Sequence, residues 1–442
     1  MTIPDKIKES KNLIAKGDEF RKNGDNAKAL ESYTKAIKAD AKANFAYFKR
    51  GQLVMQDGKL SDAIADFNSA IALTPDFSFA YYKRALAYLE LKQYRVAIED
   101  FTKAITLNPE LKRIYEKRGY CYSVIKDFEN AITDLTSAIE SEGDSQSAYL
   151  YRANAHFMLK NFEKAIEDYN KTIELNPDNE KAYLSRGICL TNTGKDEEAS
   201  LDFDRVITLN PTSKLAYQYR AVLDIKLKHF EKAIDDIDRL IKLKIEDKKS
   251  YVSRAYCNFQ LKNYEETIND YTKAISIDPD DASLYLNRAN ARYNIGNFDE
   301  AALDYLKALE IDPTLQVYFT VGTCYAQIED YKEAVKYFSR VIMAEPKYYQ
   351  AYISRGISFL KMKYYNKALE DFTLALEIKH DLPQAYINRA IAFRAQNKME
   401  EAARDFIDYL ILTPSDNKHT FQIKSWLKRN GFPYDVPSSE NN

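Results

Sequence analysis

Cysteine and histidine are scarce in this chain, with four of each among 442 residues, and tryptophan occurs once. His156, His229, His380 and His419 stand in four unrelated sequence contexts, and none has a cysteine or carboxylate constellation around it. That leaves no candidate metal site and no catalytic dyad, so neither a cofactor nor an enzymatic activity is expected. No apolar run approaches the ~20 residues of a membrane span, and the N-terminus MTIPDKIKES lacks the apolar centre of a signal peptide. No membrane insertion and a cytoplasmic location are therefore expected. The net charge is −2, the pI is near 6.2 and the two signs are intermixed. A nucleic-acid binder would want a basic stripe, so no nucleic-acid partner is expected.

What the sequence does have is a period. Ser78–Leu111 reads as two amphipathic helices, roughly Ser78–Leu91 and Arg95–Leu107, with Gln93 and Tyr94 turning the chain. Pro109 has no N–H to donate and ends the second helix. Shifting this stretch by 34 residues superposes it on its neighbours, with one copy shorter by a residue at Pro313–Tyr318. Residues that superpose form a column. The Tyr81 column is tyrosine in every copy but the first, which has Leu13. The Ala85 column holds only Gly or Ala, and the Ala97 column is Ala except for Thr267. The Phe101 column is aromatic except at Leu135 and Ile237. Twelve copies begin at Ser10, Asn44, Ser78, Lys112, Gln146, Glu180, Lys214, Lys248, Ala282, Leu315, Tyr349 and Pro383. A lone helical hairpin cannot bury both apolar stripes, so a tandem series must stack.

Small residues at Ala85 and Ala97 let the two helices cross closely, and the Phe101 ring fills space between one hairpin and the next. Cys121, Cys189, Cys257 and Cys324 share one column with Ala87, Ala155 and Ser358, and read as small packing residues. They fall in alternate copies, too far apart for a disulfide.

This period and these columns resemble the tetratricopeptide repeat family, over nearly the whole chain. The resemblance implies an all-α fold, a right-handed α-solenoid (superhelix) of stacked antiparallel helical hairpins, with the first helix of each hairpin lining the concave face. It also implies a protein whose partners are other proteins. The expected organisation is an N-terminal lead-in over 1–9, a continuous array over 10–416, a capping helix over 417–431 carrying Trp426, and a disordered tail over 432–442.

Two columns depart from the family pattern. Where the family carries leucine, this chain has Arg50, Arg84, Arg118, Arg152, Arg186, Arg220, Arg254, Arg288, Arg355 and Arg389. The same ten copies carry Asp66, Asp100, Asp134, Asp168, Asp202, Asp236, Asp270, Asp304, Asp371 and Asp405. Both are lost together in the tenth copy, to Val321 and Tyr337, and in the first, to Lys16 and Ser32. Joint loss predicts that each Arg meets the Asp of its own hairpin, where a planar fork can engage a carboxylate with two bonds.

The family's grip on acidic chaperone tails requires lysine in the Tyr82 column, which has none. Asn154, Asn287, Asn290 and Asn388 match its asparagine positions but make no clamp alone. The same inner wall is instead largely apolar. Its candidate partner-binding residues are Phe48, Tyr82, Leu86, Tyr120, Phe157, Ile188, Val222, Tyr256, Phe259, Tyr293, Phe319 and Ile357. They either pack on neighbouring helices or form a groove for an extended segment or amphipathic helix of another protein. The leading reading is a non-enzymatic scaffold or adaptor. A chaperone-associated co-factor and an RNA-binding helical repeat stay open, as does the oligomeric state.

Overall fold

The computed structural model describes residues 3–111, 113–245, 247–414 and 418–432. Among these there is no strand. The helices are α1 (Ile3–Lys22), α2 (Asn26–Ala39), α3 (Asn44–Gln56), α4 (Leu60–Leu73), α5 (Ser78–Glu90), α6 (Tyr94–Leu107), α7 (Ile114–Val124), α8 (Phe128–Glu142), α9 (Gln146–Met158), α10 (Phe162–Leu175), α11 (Glu180–Asn192), α12 (Asp196–Leu209) and α13 (Lys214–Lys226). They continue as α14 (Phe230–Lys242), α15 (Lys248–Gln260), α16 (Tyr264–Ile277), α17 (Ala282–Asn294), α18 (Phe298–Ile311), α19 (Leu315–Gln327), α20 (Tyr331–Ala344), α21 (Tyr349–Lys361), α22 (Tyr365–Ile378), α23 (Pro383–Ala395), α24 (Met399–Leu412) and α25 (Lys418–Arg429).

The chain divides into two units, Met1–Leu223 and Asp224–Asn442. In the first, α1 packs on α2, α2 on α3, and so on to α12; in the second the same succession runs from α14 to α24, with α25 against α24. Each unit is thus a solenoid of stacked helical hairpins. The three-residue connections, such as 91–93 between α5 and α6, force antiparallel pairing.

The turn that closes each hairpin has one chemical requirement that the sequence columns did not display. The residue two before each second helix is left-handed: Gly24, Gly58, Lys92, Lys126, Lys160, Gly194, Lys228, Lys262, Gly296, Glu329, Lys363 and Asn397 all have φ near +60° to +83°. The amides of Lys92 and Gln93 bond back to the carbonyls of Leu89 and Tyr88, which satisfies the end of α5. Glycine enters this conformation freely, whereas lysine does so against a steric penalty of about 1 kcal/mol. The turn into the next hairpin uses side chains instead: the Asn108, Asn176 and Asn210 carboxamides accept from the amides of Glu110, Asp178 and Thr212.

The core is a row of small residues met by rings. Ala85, Ala97, Phe101 and Ala104 are fully buried. The Phe101-column ring presses on its own hairpin's first helix, a closer contact than the space between hairpins that the sequence suggests. At Gly51 and Gly187 an added Cβ would stand 2.8 and 2.7 Å from the rings of Phe67 and Phe203, so even methyl is too large there. Cys121, Cys189, Cys257 and Cys324 are buried and reduced, as packing residues of this row.

Several boundaries differ from the sequence reading. Residues 3–9, the expected lead-in, form the first turns of α1: Pro4 and Asp5 in sequence already favour an early helix start, and Asp5 sits in the first turn where the helix dipole favours it. The helix expected over 91 stops at Glu90, because Leu91 caps it and Lys92 turns left-handed. Its partner starts one residue early, at Tyr94. The last helix spans Lys418–Arg429. Trp426 stands edge-on to Phe406 at 5.2 Å, and Phe432, expected in the tail, stacks on Trp426 at 6.3 Å. The remainder of the expected tail, 433–442, lies outside the described residues, as do 415–417 at the end of the expected array. The shortened copy loses its residue from the turn: three residues separate α18 from α19 where four separate α4 from α5.

Replacing Lys92 with glycine should raise stability by about 1 kcal/mol, whereas Gly51→Ala should lower it by about 1–3 kcal/mol. Denaturant midpoints of the two variants check this; a Lys92→Gly variant less stable than the parent would contradict the strain argument.

Candidate functional site

The chemistry that repeats along the chain is centred on arginine. Arg84 leaves α5 and donates Nε and Nη2 to the two oxygens of Asp100 on α6, at 2.7 and 2.6 Å. The same two-bond fork joins Arg50 to Asp66, Arg118 to Asp134, Arg152 to Asp168 and Arg186 to Asp202 in the first unit. In the second unit it joins Arg254 to Asp270, Arg288 to Asp304, Arg355 to Asp371 and Arg389 to Asp405. Arg220 and Asp236 belong to different units; Arg220 donates to Asp204 within its own.

The remaining Nη1 does something the sequence columns did not announce. It reaches back to the preceding hairpin: from Arg84 to Asn68 at 2.6 Å, Arg118 to Thr102 at 3.0 Å, Arg152 to Thr136 at 3.0 Å and Arg186 to Asn170 at 2.6 Å. Arg254, Arg288, Arg355 and Arg389 reach Asp238, Thr272, Ser339 and Thr373 in the same way. The signal was present, since these acceptors share a column of Asn, Thr, Asp and Ser. The guanidinium also lies over the ring of the tyrosine three residues earlier, 5.4 Å from its centroid for Arg84 over Tyr81. One side chain therefore ties two helices of a hairpin, the previous hairpin and a tyrosine together. Hydrogen bonding to Asp100 raises the pKa of Arg84 further above its ordinary value.

The exception is consistent with this geometry. At Val321, where the arginine is missing, the reach-back partner is Leu306 and the aspartate position is Tyr337. Leu306, Val321 and Tyr337 pack in one apolar cluster, and Arg340 instead lies over Tyr318 at 5.6 Å. Asp304, next to this joint, takes a second guanidinium from Arg292 at 2.7 Å.

The candidate groove residues divide by exposure. Phe48, Tyr82, Leu86, Tyr120, Phe157, Ile188, Phe259, Tyr293, Phe319 and Ile357 are half-buried, and Val222 and Tyr256 are exposed at 51% and 44%. Part of each half-buried ring rests on a neighbour: Phe48 on Phe77 at 4.7 Å, Tyr120 on Tyr151 at 4.9 Å, Tyr293 on Phe298 at 5.0 Å. Each of the half-buried residues keeps part of its surface exposed to solvent. Two of the clamp-like asparagines serve the fold: Asn154 and Asn290 accept the hydroxyls of Tyr169 and Tyr305 at 2.7 and 2.5 Å.

Among the described residues no three His, Cys, Asp or Glu side chains converge as a metal site would require, and no helix is long and apolar enough to cross a membrane. Burial pushes the thiols of Cys121, Cys189 and Cys324 up to about 12, and that of Cys257 to about 11.

Sequence models of the tetratricopeptide repeat match residues 14–76, 78–111, 147–179, 258–296, 282–315 and 315–348, together about half of the chain. The chain belongs to the tetratricopeptide repeat family. No curated protein matches this tetratricopeptide repeat chain. Solved structures similar to it include YrrB, described as a TPR protein with an unusual peptide-binding site, at 21% identity and TM-score 0.41, covering 43% of this chain and 97% of that one. Yeast Tom70 matches at 19% identity and TM-score 0.34 over 96% of both chains. A Naa15/Naa10 complex bound to HypK matches at 14% identity and TM-score 0.42, over 96% of this chain and 71% of that one. Membership in this family means a scaffold for protein–protein interaction.

Removing Asp100 with Ala should cost about 3 kcal/mol, because it leaves Arg84 half-buried without its carboxylate. The paired change of Arg84 and Asp100 to leucine should cost less than the sum of the single changes. Additive losses in a double-mutant cycle would contradict the pairing. The raised thiol pKa values have a defined sign: the folded thiols hold protons more tightly than the unfolded ones, so their contribution is complete below pH 9 and is lost as pH rises from 9 toward 12. Native-state alkylation of all four cysteines should accordingly be slow at pH 8 and fast only in denaturant; rapid native labelling would refute it.

Proposed function

We propose that the inner wall formed by the first helices of the hairpins holds apolar segments of partner proteins, either extended or as amphipathic helices, and that the chain does so as a non-enzymatic scaffold. The observation that carries this reading is the partial exposure of these aromatic and aliphatic residues within each unit, with Val222 in the first and Tyr256 in the second the most exposed. These residues lend part of their surface to their own hairpins, as Tyr82 does to Phe101 and Tyr293 to Phe298, yet stay less buried than the Gly/Ala and Phe101 columns. A soluble surface would ordinarily be polar there. The partner is protein and not nucleic acid, because burial of ring faces, at about 25 cal/mol per Å² before ordering costs, supplies the affinity.

Changing Val222 or Tyr256 to Glu should weaken partner binding by about tenfold or more while leaving the fold intact, since both are exposed. Binding should also change little between low and moderate salt. Isothermal titration with a partner recovered from a pull-down measures both; binding that collapses with salt and survives these changes would refute the apolar face.

A further inference from the structure

The first unit contains one place where that face is not apolar. The first helices of its opening three hairpins, α1, α3 and α5, meet around a cavity of about 210 Å³ lined by Arg21, Gln52, Met55, Gln56, Lys83 and Glu90. Two cations look into it. Arg21 donates Nη1 to the neutral carboxamide of Gln52 at 2.8 Å. Lys83 is half-buried, with its ammonium 5.6 Å from the centroid of the adjoining Tyr82 ring.

Their neighbours do not neutralise them. Glu19 is exposed, and the carboxylate about one helical turn before Arg21, Asp18, has both of its oxygens occupied. One accepts the Tyr33 hydroxyl at 2.8 Å and the other holds Lys49 at 2.5 Å. Glu90 lies two turns along α5 from Lys83, on the exposed rim, and among the described residues no carboxylate forms an ion pair with Arg21 or Lys83. Burial, and then the positive charge of Arg21, push the pKa of Lys83 below its ordinary value. Two like charges held near one another in a partly enclosed space, with Gln52 and Gln56 amides beside them, form a cradle for a negative group.

We infer that this cavity receives an anionic side chain, carboxylate or phosphate, carried within a protein segment lying along the α1–α3–α5 face. Its volume admits one such group and not a folded element. Met55 lines it and the Tyr82 ring stands beside the Lys83 ammonium, so the same segment would place an apolar residue next to its acidic one. The inference rests on the apolar-face reading, which supplies the segment, and adds to it a register: one acid fixed by Arg21 and Lys83. These cations occupy other columns than the lysine of the family's grip on chaperone tails.

The test uses the full-length chain, fluorescently labelled, on an array of synthetic 12-residue peptides of mixed sequence containing Asp, Glu and phosphoserine among their residues. Bound peptides should be enriched in an acid flanked by apolar residues. Lys83→Met combined with Arg21→Gln should weaken those peptides about tenfold and abolish the enrichment, while neutral apolar peptides bind as before. Preference for Asp and Glu or for phosphoserine distinguishes carboxylate from phosphate, and either supports the site. Apolar peptides bound with no acidic preference, or a preference that persists in the double variant, would overturn it and leave the apolar face standing. If no peptide binds at all, the apolar face fails and this site with it. A second measurement guards against misfolding: Lys83→Met should melt no lower than the parent, since it relieves repulsion, and a melting point several degrees lower would show that Lys83 supports the fold and overturn the inference.

Discussion

A guanidinium with three separate tasks sets the geometry of this chain. A helical hairpin fixes its own two helices through small residues and a ring, and that core runs on into the next hairpin, where Ala85 and Phe101 cluster with Ile114 and Cys121. Non-directional apolar packing alone, however, does not fix the angle of the joint. The arginine column does. Nε and Nη2 hold the aspartate of the same hairpin, Nη1 holds the hairpin before, and the flat face covers a tyrosine. Because the acceptor geometry is planar and directional, each joint is defined by angle as well as by distance. The Arg side chains are only 13–25% exposed and their aspartates 4–8%, so losing one partner would strand a charge.

The joint at Val321 shows the alternative solution. There the arginine, its aspartate and its reach-back acceptor are all replaced by apolar or aromatic residues, and the turn is shorter by one residue. An ion pair exchanged as a whole for packed hydrophobic side chains leaves no orphan, whereas exchange of one member would. Placing the structural polar groups in this ladder also separates tasks. Stability resides in the ladder and in the Gly/Ala and ring columns, which leaves the inner wall of the first helices free to carry apolar groups and, at Arg21 and Lys83, charge.

Much of this was legible in the residue columns. The period sets the hairpins, and joint loss of Arg and Asp in the tenth copy pointed to partners within one hairpin, as in the fork of Arg84 on Asp100. The reach of Nη1 to Asn68 was not legible in advance, because Asn, Thr, Ser and Asp look like an ordinary solvent column until one knows that an arginine arrives there. The left-handed lysines were hidden for a similar reason: nothing about Lys92 in sequence signals a conformation normally given to glycine. Exposure along the inner wall could not be read either, since Phe48 and Val222 share an apolar pattern yet one leans on Phe77 and the other stands in solvent.

The most direct measurement of the arginine ladder is hydrogen exchange at the arginine Nε–H groups, followed by NMR on a chain labelled only in arginine. Nε–H groups locked onto aspartate should give dispersed, slowly exchanging signals, and Asp100→Asn should speed the exchange of Arg84 far more than that of arginines two hairpins away. If these groups exchange as fast as those of arginines in open solvent, the guanidinium does not set the joints, and the packing of small residues and rings would have to fix them alone.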